Sequence, residues 1–286
     1  MNYQTIIDCQ TLNNHLEDDN WRVFDCRFSL SDPGAGQLEY EKGHIPRAIF
    51  ADLEKDLSSE KTRMSGRHPL PRVEDFIRTV EEWGVHPDSQ VIVYDDAGGV
   101  FAGRLWWMFR WIGHKNVAVL DGGLPAWELS GLPVTNSFQS VESLTTGTYQ
   151  AQLVDELVVS TTDIENNLTA REFTLLDARG PERFSGEKEP VDPVGGHVPY
   201  AINLPYKANL DENGCFLSAV NLRERFEPLV ASLGSKNVVH MCGSGVSACH
   251  NILAMEIAGF RTPQLYVGSW SEWVNNSSRP IATGNI

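Results

Sequence analysis

The stretch VVHMCGSGVSA at residues 238–248 decides the fold class of this 286-residue chain. Its first four residues form a short apolar run that predicts a buried strand. Two glycines then mark a turn, and the apolar pattern from Ser247 to Ala258, followed by Gly259, predicts a helix. A strand that leads through a glycine-rich turn into a helix is typical of α/β proteins with parallel sheets.

Other segments of the second half continue this alternation. The runs FTLLD at residues 173–177 and QLYV at residues 264–267 predict two further strands, and residues 221–227 predict another helix. Alternating strands and helices favour βαβ units. We therefore predict an α/β fold with a mostly parallel sheet and helices on both of its faces.

The first half of the chain contains the same motifs in the same order. The matched pairs are VFDCR (23–27) with LLDAR (175–179), GHIPRAI (43–49) with GHVPYAI (196–202), VIVY (91–94) with VVHM (238–241), and LDGGLPAW (120–127) with YVGSWSEW (266–273). Their offsets are 152, 153, 147 and 146 residues. Four ordered matches at a nearly constant offset indicate two copies of a whole domain, because solenoid repeats have much shorter periods.

Length and composition agree with two globular domains. Halving the chain gives 143 residues per domain, and 41% of the residues are apolar while 21% are charged. We predict an N-terminal domain at residues 1–135, a linker at residues 136–150 that is rich in Ser and Thr, and a C-terminal domain at residues 151–286.

The charge balance restricts the partners. The chain has 23 basic and 38 acidic residues, a net charge of −15 at pH 7. Nucleic acids and anionic membrane surfaces are therefore not expected as partners. No apolar run is long enough to span a membrane, and residues 1–8 carry no export or transit pattern, so we expect a cytoplasmic protein. The five cysteines lack C-x-x-C spacing, so neither a disulfide framework nor a metal site is expected.

The two halves differ at the residue that follows the third matched strand. This residue is Cys242 in the second half and Asp95 in the first. Ligands of parallel sheets bind beyond the carboxyl ends of the strands, so chemistry is expected at this position. A carboxylate cannot replace a sulfur nucleophile, and only the second half can be catalytic by this route. Cys249, which lies two helical turns further on, is expected to be a packing residue.

The loop after Cys242 suits an activated thiol. Its two glycines allow successive backbone N–H groups to point inward, and the dipole of the following helix acts at the same point. Both effects favour the thiolate. Three rival interpretations fit less well: a dinucleotide fingerprint lacks a partner motif in the first half, a phosphate-binding loop lacks its Lys, and a cysteine phosphatase would need an Arg where Ala248 stands.

Taken together, these ordered motifs resemble the rhodanese family, specifically its two-domain sulfurtransferases. The resemblance implies two tandem rhodanese-like domains, of which the N-terminal one is catalytically silent. It also implies that Cys242 accepts sulfur as a persulfide and passes it to a thiol or to cyanide. No metal and no organic cofactor is implied. The implied partners are a small anionic sulfur donor and a thiol acceptor, with a thioredoxin-like protein among the candidates.

The resemblance also bears on the donor. Family members that use thiosulfate typically carry an Arg-Lys pair directly after the cysteine, whereas this chain has Gly243 and Ser244, as members that use 3-mercaptopyruvate do. In those members a loop serine, a histidine and a carboxylate of the N-terminal domain are proposed to form a proton relay. Ser244, His68 and Glu54 match these three roles, and Asp52 and Asp56 are alternatives to Glu54.

The resemblance assigns donor binding to Arg183 and to the loop backbone. The guanidinium of Arg183 would clamp the carboxylate and carbonyl oxygens of an α-keto acid. Arg179 is instead expected to pair with a carboxylate and order the fold, because Arg27 repeats it in the silent half. The loop residues expected to donate backbone hydrogen bonds are Gly243, Gly245, Val246 and Ser247.

One departure leaves the donor open. Members that use 3-mercaptopyruvate usually have a second Arg soon after a Glu-Pro, but here Glu189-Pro190 is followed by Val191. Arg104 and Lys188 are the candidates to compensate for its loss. The leading prediction is a 3-mercaptopyruvate sulfurtransferase activity. The alternatives are transfer from thiosulfate to cyanide, and a non-catalytic module that only carries a persulfide.

Overall fold

The computed structural model describes residues 2–138, 149–230 and 237–284, which form two α/β units. The first unit consists of Met1–Ser59, Leu70–Val154 and Glu212–Phe216, and the second of Glu60–Pro69, Asp155–Asp211 and Leu217–Ile286. Each unit thus includes a short segment from the opposite half of the chain. Most of the predicted linker, residues 139–148, lies outside the described residues.

The first unit is built on a five-stranded sheet. Its strands are β1 (Ile6–Ile7), β2 (Trp21–Asp25), β3 (Ala48–Phe50), β4 (Gln90–Tyr94) and β5 (Val117–Leu120). Its helices are α1 (Cys9–Asn14), α2 (Ala35–Lys42), α3 (Val73–Glu82), α4 (Ala102–Trp111) and α5 (Gly123–Leu129). The strand order is β1-β5-β4-β2-β3, and every neighbouring pair is parallel. All residues of β2 and β4 are buried, as expected for a sheet covered on both faces.

The second unit repeats this architecture. Its strands are β6 (Val158–Val159), β7 (Thr174–Asp177), β8 (Ile202–Asn203), β9 (Val238–Met241) and β10 (Gln264–Tyr266). Its helices are α6 (Thr161–Ala170), α7 (Pro181–Ser185), α8 (Ala219–Val230), α9 (Ser247–Ile257) and α10 (Ser269–Trp273). The parallel strand order β6-β10-β9-β7-β8 corresponds position by position to that of the first unit. The predicted α/β fold class and the duplication are therefore confirmed.

The Asp-x-Arg motif joins corresponding elements in each unit. Arg27 pairs with Asp25 at the end of β2, and Arg179 pairs with Asp177 at the end of β7; the Nη2–Oδ2 distance is 2.7 Å in both. The same Nη2 atoms donate to the carbonyl oxygens of Gly43 and Gly196. These buried pairs connect a strand end to the Gly-His segment, so the predicted pairing of Arg179 with a carboxylate is confirmed, while its role in ordering the fold stays a prediction.

An apolar cluster fills each unit around a tryptophan from the last matched motif. Trp127 in the first unit and Trp273 in the second are both fully buried. Their indole N–H groups donate to the carbonyl oxygens of Pro133 and Pro280 at 2.8 and 3.0 Å, which satisfies the polar atom of an otherwise apolar side chain. Among the described residues, no helix is both long and apolar enough to cross a membrane.

Candidate active site

Cys242 lies directly after β9, the middle strand of the second sheet, and only 2% of it is exposed. Its backbone N–H donates to Ser269 Oγ at 3.1 Å, and its carbonyl oxygen accepts from the N–H of Trp270 at 3.0 Å. Both partners belong to α10. The nucleophile candidate is therefore anchored through both its backbone N–H and its carbonyl oxygen.

That loop spans five residues, 242–246, before α9 begins at Ser247. Gly245 has φ +76°, and a Cβ atom there would lie 2.5 Å from the carbonyl oxygen of Val267, so only glycine fits. The carbonyl oxygen of Gly243 accepts from the N–H of Ser271 at 2.9 Å. The tight turn places the positive end of the α9 dipole at the loop, as the sequence predicted.

The corresponding loop of the first unit, between β4 and α4, encloses a carboxylate. Asp95 follows β4 and is fully buried. Its carboxylate accepts hydrogen bonds of 2.7–2.9 Å from four backbone N–H groups, those of Ala97, Gly99, Phe101 and Ala102. Burial raises the pKa of Asp95, and the four N–H groups act in the opposite direction. The loop of the first unit therefore binds an anion that belongs to its own chain.

The structure brings Ser244 and His68 together, although 176 residues separate them. His68 Nδ1 and Ser244 Oγ lie 2.9 Å apart, and the exposed fractions of the two residues are 2% and 4%. His68 belongs to the second unit because residues 60–69 do. His68 is thus buried, while its role in a relay stays a prediction.

The carboxylate predicted for the relay lies in the first unit. Glu54 is exposed, and its backbone N–H donates to Asp52 Oδ1 at 2.8 Å. The carboxylate of Asp56, an alternative to Glu54, accepts from the N–H of Asp52 at 2.8 Å, and burial raises the pKa of Asp56 to about 6. The assignment of Glu54 to the relay therefore stays a prediction.

Arg183 lies in the last turn of α7, where two carboxylates hold it. Its Nε lies 2.9 Å from both Glu189 carboxylate oxygens, and its Nη2 lies 2.9 Å from Asp192 Oδ2. The other oxygen of Asp192 lies 2.7 Å from Nη1 of Arg67. One buried carboxylate therefore bridges two guanidinium groups.

Both guanidinium groups lie close to Gly243, the residue after Cys242. A Cβ atom built on Gly243 would lie 3.0 Å from Arg67 Nη2 and 3.4 Å from Arg183 Nη2. A side chain at position 243 would press on the Arg67 guanidinium, which would have to shift by a few tenths of an ångström, and an arginine there would add a third positive charge. The Arg-Lys pair that the resemblance associates with thiosulfate would therefore add positive charge next to two guanidinium groups.

Sequence reasoning missed three residues of this arrangement: Arg67, Asp192 and Ser269. The repeat carried a signal for Ser269, because the offset of 146 aligns it with Gly123. Arg67 and Asp192 gave no signal, since they lie 125 residues apart in non-repeated segments. Of the two candidates to replace the missing arginine, Arg104 is buried in the first unit, with Nη2 on the carbonyl oxygen of Leu57, and Lys188 is exposed.

The two matched halves and this asymmetric site agree with the comparisons to known proteins. A model of the rhodanese-like domain matches residues 8–130 and again residues 160–276. The chain belongs to the rhodanese family. The family model thus matches both units, including the half whose loop is filled by Asp95.

Relatives within the rhodanese family differ in the donor that their names give. A probable 3-mercaptopyruvate sulfurtransferase of Pseudomonas aeruginosa is 43% identical over 287 residues, 100% of both chains. A putative thiosulfate sulfurtransferase of Mycobacterium tuberculosis is 38% identical over 270 residues, 92% of this chain and 90% of its own. The solved 3-mercaptopyruvate sulfurtransferase of Leishmania major matches with a TM-score of 0.84 and 30% identity, over 94% of this chain and 74% of that one.

The remaining thiols of this rhodanese chain have different surroundings. No disulfide joins the five cysteines, all of which lie among the described residues. Burial raises the pKa of Cys26 well above its usual value and also raises that of Cys9, which keeps both thiols protonated. Cys249 is fully buried in α9, and its Sγ lies 3.2 Å from the carbonyl oxygen of Gly245, in keeping with the packing role predicted for it.

Proposed function

We propose that this protein is a sulfurtransferase that takes sulfur from 3-mercaptopyruvate onto Cys242 and passes it to a thiol or to cyanide. Membership of the rhodanese family supports the class of reaction. The buried position of Cys242 supports a small donor, because little of the residue can be reached from solvent. The choice between the two donors depends on a proton transfer that only 3-mercaptopyruvate requires.

Loading from 3-mercaptopyruvate breaks a carbon–sulfur bond. The Cys242 thiolate attacks the donor sulfur, an S–S bond forms, and the electrons of the C–S bond pass to the carbon as an enolate. The proton of the donor thiol must then reach that carbon, so that the products are pyruvate and the Cys242 persulfide anion. Loading from thiosulfate needs no such transfer, because sulfite leaves with the electron pair and takes no proton.

The observation that carries the choice of donor is the buried hydrogen bond between Ser244 Oγ and His68 Nδ1. Ser244 stands two residues after the nucleophile, and a hydroxyl bonded to an imidazole can take up and return a proton. An enzyme that uses 3-mercaptopyruvate needs such a proton-transferring pair, whereas an enzyme that uses thiosulfate does not. Glu54 is proposed as the carboxylate that completes the relay.

Discharge completes the cycle. An acceptor thiolate, or cyanide, attacks the outer sulfur of the persulfide, and the Cys242 thiolate leaves. The loop of Gly243, Gly245, Val246 and Ser247 supports both anionic forms, since the matching loop of the first unit holds the Asp95 carboxylate by four N–H groups. We also propose a thioredoxin-like acceptor and a cytoplasmic location, which agree with the net charge of −15.

The test compares donors in the wild type and in Ser244→Ala. Removing the hydroxyl should lower kcat/KM for 3-mercaptopyruvate about 100-fold, while loading from thiosulfate or inorganic polysulfide should change less than about threefold. Loading is followed by intact-mass spectrometry as a gain of one sulfur atom, and turnover is followed as pyruvate release. Cys242→Ser is the control that must abolish loading from every donor.

Three results would overturn the proposal or a part of it. A wild-type kcat/KM that is clearly higher for thiosulfate would favour the thiosulfate alternative. An equal loss with all donors in Ser244→Ala would show that Ser244 serves the loop and does not move a proton. A persulfide that loads but is discharged by no small thiol and no cyanide would favour the carrier alternative.

A further inference from the structure

Cys249 lies in the first turn of α9 and makes hydrogen bonds to the loop that carries the nucleophile candidate. The residue is fully buried, and its Sγ lies 3.2 Å from the carbonyl oxygen of Gly245, four residues earlier. Its backbone N–H donates to the carbonyl oxygen of Val246 at 3.0 Å. Because a carbonyl oxygen can only accept, the thiol donates a weak S–H···O hydrogen bond. Cys249 therefore contacts both of the residues that end the loop.

The bond from the thiol fixes the orientation of the peptide group that joins Gly245 to Val246. In a planar trans peptide group, the C=O and N–H bonds point in opposite directions. Since the C=O group is bonded to Cys249, the N–H of Val246 is directed away from the Cys249 side chain. Glycine adopts more backbone conformations than any other residue, so this contact restricts a peptide group that is otherwise free to rotate.

The loop of the first unit shows which group the equivalent N–H binds. Phe101 directly precedes α4, as Val246 directly precedes α9. The N–H of Phe101 donates to Asp95 Oδ2 at 2.7 Å. Asp95 follows the middle strand of its sheet, and Cys242 follows the middle strand of the other sheet. By this correspondence, we expect the N–H of Val246 to face the sulfur of Cys242.

The starts of the two helices support this comparison. The loops differ in length by two residues, so they are aligned at the first residue of each helix. The third residue is then Arg104 in α4 and Cys249 in α9, and the backbone N–H of each donates to the carbonyl oxygen of the residue before the helix at 3.0 Å. The backbone is thus equivalent, while the side chain is a guanidinium group in the first unit and a thiol in the second.

We propose that Cys249 is a positioning residue for Cys242. Its thiol donates to the carbonyl oxygen of Gly245 and thereby holds the N–H of Val246 toward the Cys242 sulfur, where this N–H stabilises the thiolate and the persulfide anion. Cys249 keeps its proton and takes up no sulfur. This inference rests on the proposed function in one respect, namely that Cys242 carries the sulfur, and it holds for either donor.

The test compares two side chains of similar size at position 249. A helical serine can donate to the carbonyl oxygen four residues earlier, so Cys249→Ser keeps the hydrogen bond and Cys249→Ala loses it. The rate at which iodoacetamide alkylates Cys242 is measured over a pH series, with peptide mass spectrometry to separate Cys242 from the other cysteines. The pH of the half-maximal rate should rise by about 0.5–1 unit in Cys249→Ala and by less than about 0.2 unit in Cys249→Ser. Sulfur loading at pH 6 should fall about three- to tenfold in Cys249→Ala only, because less of Cys242 is ionised.

Two sets of variants exclude a merely structural effect. Cys26→Ala removes a buried thiol of the first unit and should leave the pH profile unchanged. Cys249→Thr and Cys249→Val repeat the comparison with and without a hydroxyl and leave no cavity, so the test does not depend on the folding of Cys249→Ala. An unchanged profile in the alanine and valine variants, or an equal shift in both members of a pair, would overturn the role of Cys249.

Failure of the proposed function would give a different result. A wild-type protein in which no donor loads sulfur onto Cys242 would overturn the proposed function. Alkylation requires no sulfur donor, so the pH profiles still report on the contact between Cys249 and the loop. The two failures are therefore distinguishable.

Discussion

At the scale of single residues, Ser269 shows how the second half departs from the first. Ser269 has φ +52°, a left-handed conformation that costs a residue with a side chain about 1 kcal/mol or more. The repeat places Gly123, with φ +58°, at the corresponding position. The hydroxyl of Ser269 donates to the carbonyl oxygen of Tyr266 and accepts from the N–H of Cys242. A strained serine is thus found where its hydroxyl anchors the nucleophile.

Two substitutions separate strain from anchoring. Ser269→Gly removes both the strain and the hydroxyl, so we expect the free energy of unfolding to change by less than about 1 kcal/mol. Ser269→Ala keeps the strain and loses the hydrogen bonds, so it should destabilise by about 1–3 kcal/mol. Both should slow sulfur loading of Cys242. Urea unfolding and loading by mass spectrometry measure the two effects, and wild-type loading in Ser269→Gly would refute the anchoring role.

At the scale of elements, the loop between the third matched strand and its helix distinguishes the two units. The loop of the first unit has seven residues, 95–101, and encloses the Asp95 carboxylate, whereas that of the second has five, 242–246, and carries Cys242. The Gly-His segments of the two units, by contrast, make equivalent hydrogen bonds. His44 Nδ1 bonds to the carbonyl oxygen of Tyr40, and His197 Nδ1 bonds to that of Phe184, at 2.7 and 2.8 Å. The loop after the third matched strand therefore differs between the units in length and in content, while the Gly-His segments keep the same contacts.

The loop of the first unit makes a testable contribution to stability. Asp95→Asn keeps the shape of the side chain but replaces one carboxylate oxygen with an amide NH₂ group. In the wild type, that oxygen accepts hydrogen bonds from backbone N–H groups, and the NH₂ group cannot accept them. We therefore expect a loss of about 2–4 kcal/mol in the free energy of unfolding. Sulfur loading of Cys242 by folded protein should be unchanged. Urea unfolding checks the first expectation. A stability equal to that of the wild type would mean that the four N–H groups do not depend on the carboxylate.

The elements also show what sequence could predict. The strands β7, β9 and β10 and the helix α9 were predicted because their apolar periodicity is local. Around Cys242, the residues themselves predicted only the loop that follows it. His68 and Arg183 were assigned to the site through the resemblance to the rhodanese family. The pairing of Arg67 with Asp192 was not predictable, because it joins distant segments that have no repeat and no periodicity. Placement of residues 60–69 in the second unit is likewise a tertiary property.

At the scale of the whole molecule, two opposing effects govern the response to acid. The chain has a net charge of −15 at pH 7 and a pI near 4.9, so acidification toward that value reduces its self-repulsion. Burial lowers the pKa of three histidines, His114, His197 and His240. Each of these histidines therefore binds a proton less readily in the folded protein than in the unfolded chain. The histidines therefore oppose the charge effect, and stability at low pH depends on their sum.

His240 allows the effect of a single buried histidine on stability to be measured separately. It is fully buried in β9, where burial lowers its pKa from 6.5 to about 3, and Val93 takes the corresponding place in the first unit. Below pH 6.5 the unfolded chain binds a proton that the folded protein excludes, so stability is present above that pH and falls as the pH drops toward 3. Between pH 7 and pH 5, the titration of His240 alone should lower the free energy of unfolding by about 2 kcal/mol.

His240→Val should remove this part of the pH dependence. Urea unfolding of the variant and of the wild type at both pH values measures the difference. The same loss on acidification in both proteins would mean that His240 is not the group that is titrated.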